Sequence, residues 1–163
     1  MLSILEKLLS VCPRLRNLTL SGVFATKEEK KTKLIIEHKY IENFRLSNNN
    51  TLDKIGEVCL SNCKRLHELS LDGFNWLTTV SVKNKNSLKN LFLRNLPTCF
   101  STLKIEDCRS LKYLEIFLNS DMSCNALMNG DEDPYEFVFG DRGSNPPLKY
   151  FKFMVKFGLG MPR

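Results

Sequence analysis

The residues able to do chemistry are few and scattered. Six cysteines (Cys12, Cys59, Cys63, Cys99, Cys108, Cys124) and two histidines (His38, His67) are spread along the chain. Cys59 and Cys63 have the spacing of a metal-ligand pair, but structural zinc takes four ligands and no second Cys or His pair completes the set. Cys63 and His67 are the nearest approach to a thiol–imidazole couple. His67 opens an alternating apolar segment, LHELSL, so a structural or exposed imidazole is expected there. Asp131 and Asp133 form a carboxylate pair within a run of turn formers, which does not supply the fixed geometry that acid–base catalysis needs. GxSxG, Walker, HExxH and dinucleotide fingerprints are absent. The expectation is a chain with no catalytic residues, no metal and no cofactor, whose work is binding.

The elements that position these side chains must be built from an ordinary composition. Hydrophobic residues make up 42% and charged residues 26% of 163, which suits one globular domain rather than two. No run approaches the roughly 20 apolar residues of a membrane span. The opening MLSILEKLLSVCPRL places Glu6 and Lys7 inside its apolar stretch and lacks the basic-then-apolar order of a secretory signal. A cytoplasmic or nuclear location with reduced, buried cysteines is therefore expected. The net charge is +6. The densest charged run, Lys27 to Lys39, mixes signs and reads as a solvated face rather than a nucleic-acid stripe, with at most a weak pull toward acidic partners.

A repeat dominates the sequence. An apolar residue, two variable ones, an apolar one, a variable one and a final apolar one recur in LRNLTL, IENFRL, LHELSL, LKNLFL and LKYLEI, beginning at positions 15, 41, 66, 88 and 111. LKYFKF, from Leu148, is a later copy. The successive separations are 26, 25, 22 and 23 residues, the period of leucine-rich repeats. In such a repeat the fourth and sixth positions point inward from a short strand, and the remaining residues travel to the next coil. One coil cannot bury its own apolar face, so several must stack. Inward positions are Leu18, Leu20, Phe44, Leu46, Leu69, Leu71, Leu91, Leu93, Leu114 and Ile116.

Two further copies fall midway, LTTVSV from Leu77 and FSTLKI from Phe100. A half-period of 11 or 12 residues is too short for a strand plus a crossover helix. Strands from Leu66 to Ile116 are thus expected to alternate between two faces of a flattened coil, with an antiparallel meander as the open alternative. The first turns read differently. Ser3 and Glu6 form a capping-box pattern that opens a helix to about Leu9, and Thr51 caps a second helix carrying Leu52, Ile55 and Val58. The fold class expected is α/β, a leucine-rich-repeat solenoid with parallel strands on one face, helices backing the first repeats and short strands backing the later ones. It forms a single domain over 1–163, with a loop-rich insertion over 120–147 in which Tyr135 to Phe139 form one strand. The EF-hand order of acidic positions is absent from that insertion.

Residues flanking the inward positions must face outward, since side chains alternate along a strand. Stacking the copies aligns Asn17, Asn43, Glu68, Asn90, Tyr113 and Tyr150. A second row begins at Thr19 and ends in Phe92, Glu115 and Lys152; a third ends in Arg94, Phe117 and Met154. The early coils present small polar groups. The later ones present Phe92, Arg94, Tyr113, Glu115 and Phe117, and aromatic residues and arginine are the usual anchors of protein interfaces. These five are the expected partner-binding residues.

The phrases CPRLRNLTLSG, NCKRLHELSLDG, NSLKNLFLRNLP, CRSLKYLEI and PPLKYFKF resemble the repeats of plant F-box/leucine-rich-repeat proteins. The resemblance covers roughly residues 11–119 and 147–153, the repeat region only; no segment here matches an F-box. It implies a receptor whose repeats hold a target protein for ubiquitin transfer. The position three after the sixth is Asn49, Cys108 or Asn119 in some copies but Val23, Phe74 or Leu96 in others. That irregularity also resembles the repeat region of plant intracellular immune receptors. In either case the partner implied is another protein, a ubiquitination target or a signalling component, and neither nucleic acid nor membrane.

Overall fold

The computed structural model describes residues 2–22, 32–48, 55–83, 85–119, 136–139 and 148–156. One helix, α1 (Leu2–Val11), is followed by strands β1 (Asn17–Gly22), β2 (Thr32–Glu37), β3 (Asn43–Asn48) and β4 (Ile55–Ser61). Then come β5 (Glu68–Asp72), β6 (Thr79–Lys83), β7 (Asn90–Leu96) and β8 (Thr102–Glu106). β9 (Tyr113–Asn119), β10 (Glu136–Phe139) and β11 (Tyr150–Lys156) complete the order. Odd and even strands separate into two sheets. The front sheet runs β1-β3-β5-β7-β9-β11 and the back sheet β10-β8-β6-β4-β2, all neighbours parallel. The chain is a β-solenoid: each coil contributes one front and one back strand, and α1 stands in for the back strand of the first coil.

The register is the one the repeat dictates. Leu69 pairs with Leu91 and Leu91 with Leu114, while Leu71, Leu93 and Ile116 form the next layer. All six are fully buried in a single hydrophobic cluster that also takes in Val58, Val80, Leu103 and Ile105 from the back strands. Phe74 and Phe100 fill the front-to-back turns and are buried without exposure. Alternation between the sheets over 66–116 is as expected, and the antiparallel meander is excluded because no described pair runs antiparallel. The first coil is looser, with Leu20 only partly buried. β11 closes the front sheet at the other end, and its inward positions Phe151 and Phe153 keep 50% and 37% exposure.

The backing of the early coils departs from the expectation. Residues 55–61 form β4 rather than the helix assigned from Leu52, Ile55 and Val58; Thr51 lies outside the described residues. Ile55, Val58 and Leu60 are buried while Glu57 and Cys59 are half-exposed. That pattern is a strand's once Gly56 is placed at the register shift where Thr32 meets Ile55 but Lys33 meets Glu57. Neighbouring strands on both sides supply ladder partners, which overrides a marginal helix signal. Within the charged run, Thr32–Glu37 is strand β2, with Leu34 and Ile36 buried and Lys33, Ile35 and Glu37 exposed; residues 27–31 lie outside the described residues. Helix among the described residues is confined to α1, where Leu5 and Leu9 make the buried stripe. The strand expected near Tyr135 to Phe139 is β10, which pairs in register with β8 and so gives the sixth coil its back strand; the rest of 120–147 lies outside the described residues.

Up to β9, the turn leading into each front strand opens on one column of residues: Cys12, His38, Cys63, Lys85 and Cys108. The N–H three residues on donates to the column carbonyl at Cys12, Cys63, Lys85 and Cys108. Cys63 donates its S–H to the carbonyls of Ile36 and Ser61 at 3.3 and 3.1 Å. Cys108 does the same toward Val82 and Glu106 at 3.6 and 3.4 Å. His38 makes a 2.9 Å contact from Nε2 to the Cys12 carbonyl, and its Nδ1 accepts the Tyr40 N–H. Burial pushes the Cys63 and Cys108 thiols above the ordinary thiol range. Cys63 and Cys108 are buried and free as expected; Cys12 is free but only half-buried. Cys99 is buried but disulfide-bonded, which corrects the expectation of reduced cysteines at this position.

Candidate functional site

Each residue expected to bind a partner lies on the outer face of the front sheet, on β7 and β9. Period-two alternation puts Phe92 and Arg94 on one side of β7 while Leu91 and Leu93 point inward. Register sets Phe92 against Glu115 and Asn90 against Tyr113. Phe92, Arg94, Glu115 and Phe117 are half-buried, and Tyr113 is 44% exposed.

The simple row alignment fails at Arg94, for a reason visible in the backbone. Leu93 meets Ile116 but Leu96 meets Leu118, so β7 carries one residue more than β9 over this stretch. Asn95 absorbs it in a left-handed conformation, φ 48°, which asparagine tolerates better than most residues. Its Nδ2 donates to Asp72 Oδ1 at 2.8 Å. Arg94 reaches diagonally to Glu115, as Arg45 does to Glu68: its Nε and Nη2 donate to the two carboxylate oxygens at 3.0 and 3.3 Å. The same guanidinium lies 4.7 Å over the Phe92 ring. Phe92, Arg94 and Glu115 therefore form one prearranged unit, with the fork geometry arginine favours. Beside it the Tyr113 and Tyr150 rings sit 6.3 Å apart. Met154, in register with Phe117, is exposed.

The earlier coils carry polar links at the same places. Asn43 donates to Asn17 at 2.6 Å, and Arg45 to Glu68 at 2.6 Å. One face thus grades from paired small polar groups to aromatic and methionine side chains. The sequence located these residues but missed the Arg94–Glu115 pairing, because 21 positions separate them; the shared face of Phe92 and Arg94 was the available signal.

The other cluster of ionisable groups is on the back sheet. Lys33 Nζ lies 3.0 Å from Glu57 Oε1, and Cys59 donates its S–H to the same oxygen at 3.1 Å. The Cys59 hydrogen bond, with Lys33, holds the Glu57 carboxyl below its ordinary range. Burial, then Glu57, raises the Cys59 thiol, so it is a protonated donor at neutral pH rather than a nucleophile. No described hydrogen bond joins His67 to Cys63, whose thiol is committed to the Ile36 and Ser61 carbonyls. Among the described residues no group of three or more His, Cys, Asp or Glu is placed to hold a metal ion. Nor, among them, is any helix long and apolar enough to cross a membrane. Asp131 and Asp133 lie outside the described residues.

No family model matches the chain, and neither a curated protein nor a solved structure does. A reading of function rests on the geometry of the two sheets.

Proposed function

We propose that the chain is a non-enzymatic recognition module of the leucine-rich-repeat type, binding another protein across the outer face of its front sheet. The observation that carries this reading is the Phe92–Arg94–Glu115 unit beside Tyr113 and Tyr150. Rigid aromatics and a positioned arginine lose little conformational freedom on binding, which is why they recur at interface centres. Carboxylate and guanidinium are already matched to each other, an arrangement suited to contact rather than to proton transfer.

The resemblance of the repeats to plant F-box/leucine-rich-repeat proteins makes a ubiquitin-ligase target receptor in the cytoplasm or nucleus the first form of this proposal. The irregular turn positions Val23, Phe74 and Leu96 favour a second form, the repeats of a plant intracellular immune receptor. An F-box encoded upstream in the same gene supports the first, and a nucleotide-binding domain the second.

The module reading is tested by photo-crosslinking from position 92 against position 35 on the opposite sheet. A partner captured from the first position alone is then titrated against Phe92→Ala/Tyr113→Ala. The expected result is a loss of affinity of about tenfold or more with melting unchanged. A melting drop of several degrees with binding retained would make these aromatics core and end the proposal.

A further inference from the structure

Stacking brings into line charges that are far apart in the chain. The turns from back to front sheet that are fully described have two-residue tips, and the exposed residues there include Arg14, Lys39, Lys64, Arg65 and Arg109. One step on, the residues leading into the front strands form a hydrogen-bonded ladder. The Lys89 N–H donates to the His67 carbonyl, the Lys112 N–H to that of Lys89 and the Lys149 N–H to that of Lys112, each at 2.9 Å. Arg16 and Glu42 continue the same ladder at the other end. Successive coils are about 4.8 Å apart, so Lys39 and Lys64 at the tips, and Lys89, Lys112 and Lys149 on the ladder, follow one another at near-contact spacing for flexible side chains, while Tyr40, Asn86, Glu42 and His67 stand between the other cations.

Three features set this edge apart. First, the ion pairs of the sheet faces neutralise those faces: Lys33–Glu57, Arg45–Glu68, Lys83–Glu106 and Arg94–Glu115. On the edge the one described pair is Arg16–Glu42, at 3.8 Å. Glu37 and Asp107, at the back-sheet side of the turn, make no described ion pair with the edge cations. Second, the opposite edge carries no charge in its described turns, residues 73–78 and 97–101. Among the described turns the positive charge thus lies along one edge. Third, that edge adjoins the front face directly, since Lys112 and Lys149 precede Tyr113 and Tyr150.

We propose that this edge docks an acidic polypeptide segment laid along the stacking axis. Carboxylates are favoured over nucleic acid by the aromatics. Tyr40, the tyrosine at the turn tips, already carries Lys39 and Arg65 at 5.2 Å from its ring centroid, and Tyr113 and Tyr150 lie against each other at one end. The edge therefore lacks the open series of stacking rings that single-stranded nucleic acid uses, while its arginine forks suit carboxylates. The proposal goes beyond front-face recognition, and its test uses an isolated peptide so that either can fail alone.

A labelled short polyglutamate peptide is titrated against the protein at low and near-physiological ionic strength, beside a thymidine oligonucleotide of matching charge. Lys89→Gln/Arg109→Gln is compared with Lys33→Gln/Lys83→Gln, which removes the same charge from the back sheet, with melting curves to verify folding. The expected result is salt-sensitive peptide binding that weakens about five- to tenfold in the edge variant and less than twofold in the back-sheet variant. Equal weakening in both variants, no peptide binding at low salt, or tighter binding of the oligonucleotide would each overturn the proposal.

Discussion

Leu91 offers the most direct test of how the coils hold together. Its side chain is fully buried, layered between Leu69 of β5 and Leu114 of β9. Truncation to alanine removes about 2.4 kcal/mol of transfer free energy, at roughly 0.8 kcal/mol per buried methylene. Strands fixed on both sides by ladder hydrogen bonds cannot collapse into the space, so a cavity term of about 1 kcal/mol or more is added. The sum is about 3–4 kcal/mol, or a melting shift on the order of 6–15 °C for a chain of this size. Leu20 is an inward residue of β1 in the neighbouring layer, in line with Leu46, Leu71 and Leu93; it lies at the sheet edge, where only Leu46 flanks it, and is partly exposed. Leu20→Ala is expected to cost about 1–2 kcal/mol, because less area is lost and water fills the gap. Guanidinium unfolding followed by circular dichroism measures both. Equal costs at the two sites, or less than about 1 kcal/mol at Leu91, would refute the picture of one continuous core supported coil by coil.

Two further outcomes follow from local geometry. The buried thiols of Cys63 and Cys108 titrate above the unfolded value of about 8.5, so their contribution is complete below that pH and is lost as pH rises from there. Melting temperature should fall less steeply between about pH 8 and pH 10 in Cys63→Ser/Cys108→Ser than in the parent chain; identical slopes would count against it. Asn95→Ala should cost about 1–2 kcal/mol for the left-handed backbone and the lost bond to Asp72, while Asn95→Gly costs less because glycine accepts φ 48°. Equal losses in chemical denaturation would mean that the hydrogen bond, not the backbone, sets the effect.

The front sheet was legible in the sequence because its inward pairs, such as Leu69 and Leu71, repeat with a period that nothing else in the chain imitates. β6 and β8 were legible for the same reason, with Val80 and Val82 or Leu103 and Ile105 at the half-period. β4 was misread because Ile55 and Val58 satisfy helical spacing as well as a bulged strand, and only its neighbours decide between the two. β2 was hidden by its charges: Leu34 and Ile36 alternate correctly, but Lys33 and Glu37 drew the segment toward solvent. The outward residues of β7 and β9 could be named from alternation alone. The cationic edge could not, since members on neighbouring coils, such as Lys112 and Lys149, are separated by as many as 37 positions and interspersed with acidic residues.

The two ends of the stack are built differently, and this bears on self-assembly. A parallel solenoid whose first and last coils matched would template its own growth, each molecule extending both sheets of the one before it into a fibre. Here α1 lies against β2, where the next back strand would stand, so at that end β1 alone offers a strand edge. At the other end the outermost described strands are β10 and β11, one in each sheet. A second molecule arriving head to tail would find one strand edge where it needs two, with a helix in place of the other. Among the described residues the helix therefore interrupts the back sheet where a further parallel strand would extend it, a role that its modest contribution to the core would not suggest.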